Sequence, residues 1–380
     1  MLAPLDESVL RHGIRSRLVP GVNGLTVHVL EAGFDTPDRP LVLLLHGFPE
    51  LAFSWRKLLL PLAEAGFHAV APDQRGYGRT TGWLAGFDDD VAPYLTLNLV
   101  RDALGLVSAL GYRRASIVGH DVGSVVAAWC ALIRPDVFGS VALMSAPFGG
   151  PPALPFDNQL AAHPAPSSEQ TDADLAALNP PRKHYQRYLA TRDAEPDMTD
   201  CPQGLQDFLR AYYHVKSADW AANNPFPLAN ASATELAKMP TYYVMERDQG
   251  MAATVAAHMP SEAEIAACGW LPDHELRFYS AESARTGLQG ALQWYRGATS
   301  SRFVSELQLF SGRAIDVPSC FIAGANDWGI YQSPGAVEAM QGAGSTDMRM
   351  CRLVEGAGHW VQQEQPDVVS NLLLHFLVTN

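Results

Sequence analysis

Residues Gly119-His120-Asp121-Val122-Gly123 set a carboxylate between small residues, after the apolar run 115–118 and before the apolar run 125–129. This spacing predicts a nucleophile elbow, a sharp strand-to-helix turn that exposes one side chain, with Asp where a lipase carries Ser. A carboxylate is anionic at neutral pH and attacks carbon without a base to activate it. Attack leaves an ester on the protein, so a separate base must deliver water to that ester. Asp327 in Ala325-Asn326-Asp327-Trp328-Gly329 and His359 in Gly356-Ala357-Gly358-His359-Trp360 each follow an apolar run. Asp327 would fix the His359 ring and stabilise its cation, while His359 takes a proton from water.

His46-Gly47-Phe48-Pro49 follows the run Leu41–Leu45. A turn there directs the Phe48 N–H toward the same point as the Val122 N–H, which makes a two-donor oxyanion hole. A tight turn also suits a cis Phe48–Pro49 bond. His46 and His120 flank these groups and are expected to orient the turn and the elbow. His46, Pro49, Phe148 and Trp360 are expected to border the substrate. A helix beginning at Val122 would point its positive end at Asp121 and favour the ionised form. Asp73 in Pro72-Asp73-Gln74-Arg75-Gly76 reads as a group that structures a loop.

The elements that must position these residues alternate. Gly24–Leu30 reads as an antiparallel strand, Leu41–Leu45 and 69–71 as buried strands, and 55–65 and 95–110 as helices, the last closed by Gly111. A strand at 115–118, a helix to Ile133 and a strand at 140–144 follow. Strands apolar on both faces, separated by helices, imply a mostly parallel sheet covered on each side. The order nucleophile, acid, histidine is that of the α/β-hydrolase fold. From Phe148 the texture changes to a proline-rich stretch and then helical, aromatic-rich sequence. Strand patterns return at 317–323 and 348–354, and a helix closes the chain near 367–378. The expected organisation is an α/β-hydrolase core of residues 1–148 and 297–380, interrupted by a helical cap domain over 149–296.

Forty acidic against 27 basic residues give a net charge of −13 over 380 residues, which argues against nucleic acid or an anionic membrane as partner. No signal peptide or membrane span is evident. The five cysteines lack CxxC spacing, which fits reduced thiols in a cytoplasmic protein and no zinc site. Nothing in the sequence sets the oligomeric state.

HGFPE at 46–50, PDQRGYG at 72–78, GHDVGS at 119–124, GANDWG at 324–329 and GHW at 358–360 resemble the epoxide hydrolase branch of the α/β hydrolases. The resemblance spans the core and implies a cofactor-free, metal-free enzyme whose helical cap supplies two tyrosines to the epoxide oxygen. Tyr185 in His184-Tyr185-Gln186-Arg187-Tyr188 and Tyr295 in Leu292-Gln293-Trp294-Tyr295-Arg296 resemble the family's two cap motifs, with Tyr188 competing for the first role. Ring opening expels an alkoxide, and a phenol near pKa 10 stays protonated at pH 7 to meet it. Two departures stand out. Val122 occupies the position after the nucleophile where relatives commonly carry Trp, which widens the pocket, and Ser124 stands where Gly is frequent.

The expected activity is therefore hydrolysis of a small apolar epoxide to a vicinal diol through an ester on Asp121. A haloalkane or haloacid dehalogenase would share the aspartyl nucleophile, but Val122 and Phe48 lack side-chain N–H donors for a halide. A ligand-binding receptor on a hydrolase scaffold is the non-enzymatic alternative.

Overall fold

In the computed structural model, which describes residues 5, 9–154, 156, 168–300 and 304–379, the apolar runs form one eight-stranded sheet. Its strands are β1 (Arg15–Val22), β2 (Leu25–Ala32), β3 (Leu41–Leu45), β4 (His68–Pro72), β5 (Ala115–His120), β6 (Phe138–Met144), β9 (Ser319–Gly324) and β10 (Met348–Val354). They lie in the order β1-β2-β4-β3-β5-β6-β9-β10. β1, β2 and β4 pair antiparallel, and every pairing from β4 through to β10 is parallel.

Every residue of β3 is buried, because a parallel strand in mid-sheet has helices over both faces. Each of its leucines contributes about 2 kcal/mol by leaving water. Helix α1 (Leu59–Glu64) packs with the closing helix Pro366–Val378, while α2 (Thr96–Ala109) packs with α3 (Val122–Ile133). Helix α1 is shorter than the expected 55–65, since residues 52–55 form a 3-10 turn. Gly111 ends the α2 region with a φ of 87°, a conformation glycine adopts without steric cost.

Between β6 and β9 the described residues are mainly helical, broken by the two-stranded pairing of β7 (Arg182–His184) with β8 (Val244–Glu246). Much of the proline-rich stretch, 155 and 157–167, lies outside the described residues. Contacts fasten these helices to the sheet side. Arg56 pairs with Glu275, Arg79 with Glu282 (2.9 Å), and the Trp294 indole donates to the Arg75 carbonyl at 2.8 Å. Among the described residues no helix is long and apolar enough to cross a membrane.

Candidate active site

Asp121 sits where β5 ends and α3 begins, with φ 53° and ψ −123°. A non-glycine residue in this region stores about 1–3 kcal/mol of strain, which the surroundings must offset. The glycines on either side make the turn possible. A Cβ on Gly119 would meet the Gly123 carbonyl oxygen at 2.2 Å, and one on Gly123 would meet the His46 carbonyl oxygen at 2.4 Å. β5 lies between β3 and β6, so the turn emerges at mid-sheet beside the loop after β3. Sites in open parallel sheets form at these carboxyl ends.

The Asp121 carboxylate has two differently engaged oxygens. Oδ1 accepts the Phe48 N–H at 3.1 Å. Oδ2 lies 3.3 Å from His359 Nε2, an ion-pair distance. That contact is off the line of a hydrogen bond, and Nε2 has no hydrogen-bond partner among the described residues. On the other side of the ring, Nδ1 sits 3.1 and 3.2 Å from the Asp327 oxygens, and Asp327 also accepts the Gly329 N–H at 2.7 Å. The Val122 N–H, first in α3, donates to no acceptor among the described residues. The expected nucleophile, acid and base thus converge, with Phe48 beside them.

Burial alone would raise the Asp121 carboxyl, but the charge of His359 and then of Lys216 holds it well below the usual carboxylate range. Burial lowers His359 and Lys216 lowers it too, yet Asp327 and Asp121 outweigh both and push it up to about 9. At neutral pH the resting pair is carboxylate and imidazolium.

Tyr295 and Tyr185 stand over this group. The Tyr295 ring meets Phe48 edge-on with centroids 5.4 Å apart and lies 6.2 Å from the Tyr185 ring. The Tyr185 hydroxyl donates to Gln332 Oε1 at 3.2 Å and accepts from Gln186 Nε2 at 3.3 Å. The Tyr295 hydroxyl has no hydrogen-bond partner among the described residues. Burial, and after it the Asp121 charge, raises both phenols above their ordinary value, so both keep their protons. Tyr188, the competitor, is turned instead toward Asp197, with Lys183 4.3 Å above its ring.

Residues 40–366 match the family described as alpha/beta hydrolase fold. Epoxide hydrolase A of Mycobacterium tuberculosis is 32% identical over 365 residues, which cover 93% of this chain and 95% of that protein. The chain belongs to the epoxide hydrolase family of α/β hydrolases. Two solved structures agree. An epoxide hydrolase from an endophytic Streptomyces superposes with a TM-score of 0.72 at 30% identity, covering 97% of this chain and 96% of that one. A potato epoxide hydrolase mutant also gives 0.72, at 27% identity, covering 97% of this chain and 100% of that one.

Some expected members of the site serve it differently within this family framework. His46 is fully buried, and both ring nitrogens are taken by backbone: Nδ1 lies 2.9 Å from the Gly47 carbonyl and Nε2 accepts the Gln74 N–H at 3.1 Å. It joins two loops and is not free to meet substrate. Trp360 is fully buried behind His359, its indole donating to the Tyr213 carbonyl at 2.8 Å. Phe148 packs against Trp129 of α3. Pro49 follows a cis bond and is buried. These four residues shape the walls from behind.

Two features carried no signal in the sequence. Glu50 is completely buried and accepts from the Gly47 N–H (3.1 Å), Gln362 (3.0 Å) and Gln363 (2.8 Å) while pairing with His120 Nδ1 at 2.6 Å. Burial raises this carboxyl, but His120 and the Gly47 N–H bring it below its ordinary value. His120 Nε2 in turn lies 2.7 Å from the His359 carbonyl, so one chain of bonds ties the elbow to the histidine loop. The HGFPE stretch contained Glu50, but adjacency to His46 said nothing about its distant partners.

The second is Lys216, buried at the end of a helical-insertion helix among tyrosine rings. Where Val122 is expected to widen the pocket, an apolar cavity of about 180 Å³ is lined by Leu95, Val122, Val125, Gln186, Trp294 and Tyr295. It opens beside the small side chain of Val122. Among the described residues no cluster of three His, Cys, Asp or Glu side chains is placed to hold a metal ion.

Proposed function

We propose that this protein hydrolyses an apolar epoxide to a vicinal diol through a covalent ester on Asp121. The observation that carries the reading is a carboxylate set between His359 on one side and two protonated phenols on the other. Oδ2, free of backbone donors, forms a bond to an epoxide carbon as the carbon–oxygen bond of the ring breaks. Tyr185 and Tyr295 hydrogen-bond the departing oxygen. That oxygen needs one proton, and conversion of Asp121 to a neutral ester withdraws the charge that holds a proton on His359, so one is released as one is consumed.

In the second step neutral His359, oriented by Asp327, takes a proton from water as its oxygen attacks the ester carbonyl carbon. Oδ1, already on the Phe48 N–H, carries the developing negative charge, with the Val122 N–H as second donor. Collapse breaks the ester bond and frees the diol, and carboxylate and imidazolium are restored. Proton and charge balance close over the cycle without a cofactor.

Residues 149–296 are proposed to act as a cap domain on a core of 1–148 and 297–380. The ties of Arg56, Arg79 and the Arg75 carbonyl to Glu275, Glu282 and Trp294 support that assignment. The cavity beside Val122 suits an apolar substituent of the substrate.

A single turnover in heavy-oxygen water tests the scheme, because the first diol must take its new oxygen from Asp121 and emerge unlabelled. His359→Gln should accumulate a protein adduct equal in mass to the added epoxide. Label in the first diol, or no adduct, overturns the reading.

A further inference from the structure

Lys216 ends the helix Gly204–Lys216 and is 3% exposed. Its ammonium forms no hydrogen bond or ion pair with any described residue. Four aromatic faces surround it instead, with Nζ 4.7 Å from the Tyr243 centroid, 5.1 Å from Tyr212, 5.3 Å from Tyr185 and 5.8 Å from Tyr242. Aromatic faces attract cations, most of all where water is excluded.

The backbone fixes this charge relative to His359. The His359 N–H donates to the Lys216 carbonyl at 2.8 Å. Glu364 accepts the Ala218 N–H (2.8 Å) from the chain just after Lys216. It also accepts the Gly358 (2.9 Å) and Trp360 (3.0 Å) N–H groups on either side of His359. The lysine and the histidine therefore cannot drift apart independently.

The charges around His359 come from several elements: Asp121 from the elbow, Asp327 from the loop after β9, Lys216 from the insertion, Glu364 beneath its own loop. His120 lies with ring centroids 5.0 Å away and is held by Glu50. Asp121, Asp327 and an imidazolium sum to one negative charge, and Lys216 cancels it. When Asp121 becomes an ester, that balance reverses. Asp327 with Lys216 is then neutral, and an imidazolium would give these three groups a net positive charge.

We propose that Lys216 is a positioning residue whose fixed positive charge favours the neutral, proton-accepting form of His359 once Asp121 is esterified. The inference rests on the aspartyl-ester reading above. It assigns the lysine to the second step: the charge keeps the His359 ring of the ester state neutral and ready to take a proton from water. Burial lowers Lys216 from its ordinary value while Asp121 and Asp327 oppose that shift, so the ammonium is sustained by the same carboxylates whose histidine it governs.

The test compares Lys216→Met and Lys216→Arg in the full-length protein, with ring opening and ester decay followed separately by rapid quench and mass spectrometry across pH. In Lys216→Met, ester decay at neutral pH should slow about tenfold, its acid limb moving up by about one pH unit, and recover at higher pH. Lys216→Arg should keep the limb near its native position even if turnover drops. An unmoved limb in Lys216→Met overturns the inference, as does slowing confined to ring opening. A KM defect restricted to carboxylate-bearing epoxides would also overturn it, since the lysine would then pair with substrate. If the native protein and His359→Gln both fail to form an ester, the underlying scheme falls as well. An ester with an unmoved limb defeats this inference alone.

Discussion

At the ends of β3 and β9 the sheet presents charged groups whose hydrogen-bonding capacity is largely filled, whereas several phenols of the helical insertion, Tyr185 and Tyr242 excepted, have theirs open. Glu50 and Asp327 have partners on both carboxylate oxygens or on the histidine they hold. Asp73 accepts the Ala52 and Arg79 N–H groups and pairs with His28. Across the site the hydroxyls of Tyr212, Tyr213 and Tyr243 are buried without partners, and Tyr295 has none among the described residues. A filled network holds charge in place, while an unfilled donor keeps its strength for a group that arrives later. In the proposed reaction the sheet side would supply the nucleophile and base, and the helical side donors for the leaving oxygen.

The sharpest way to break this division is Asp121→Ala, which should lower turnover roughly 10⁴-fold in a steady-state diol assay. Residual activity near the native level would remove the carboxylate from the chemistry. Glu50→Gln probes the filled network. Removing the negative charge from this buried, hydrogen-bonded carboxylate should cost about 3 kcal/mol in a urea titration, and an unchanged midpoint would show that the network holds nothing in place. On the helical side, Tyr295→Phe should slow ring opening about 10²-fold while ester decay stays near native, as resolved by single-turnover quench. Equal slowing of both steps would make it a packing residue.

The pH dependence sharpens the comparison because it couples the two sides. In the free protein His359 is pushed up to about 9 and so carries a proton at neutral pH, which in the proposed cycle is the one ring opening consumes. Ring opening should therefore decline above that pH and stay level on the acid side, where Asp121 remains ionised well below its ordinary 3.8. Ester decay should run the other way, rising with pH as His359 in the ester loses its proton. Parallel profiles for the two steps would separate His359 from one of them.

The sheet side was the more legible in sequence. The elbow, the His-Gly-Phe-Pro turn and the acid and histidine loops are local patterns tied to strand ends, and each occurs at the expected strand. Trp360 and His46 adjoin active residues in sequence, but adjacency along a chain says little about which way a side chain faces, and His46 serves to orient the turn. Lys216 carried no signal at all. Gln206 to Lys216 reads as an ordinary amphipathic helix, and only the packing of its last turn against Gly358 turns the lysine inward, where a Cβ on that glycine would meet the Lys216 carbonyl oxygen at 2.5 Å. Tyr185 and Tyr188 were likewise inseparable by helical spacing until the neighbours of each, Gln332 for one and Asp197 for the other, were in view.

The tightness of the turn at Asp121 has one more consequence. Backbone atoms crowd Gly119 and Gly123 from within the turn and from the His46 loop, so any larger residue at either place displaces main chain. Position 121 itself carries no such restriction beyond its own torsion. Another small side chain at this address would leave the main chain of the turn in place, while the two flanking glycines are closed to change.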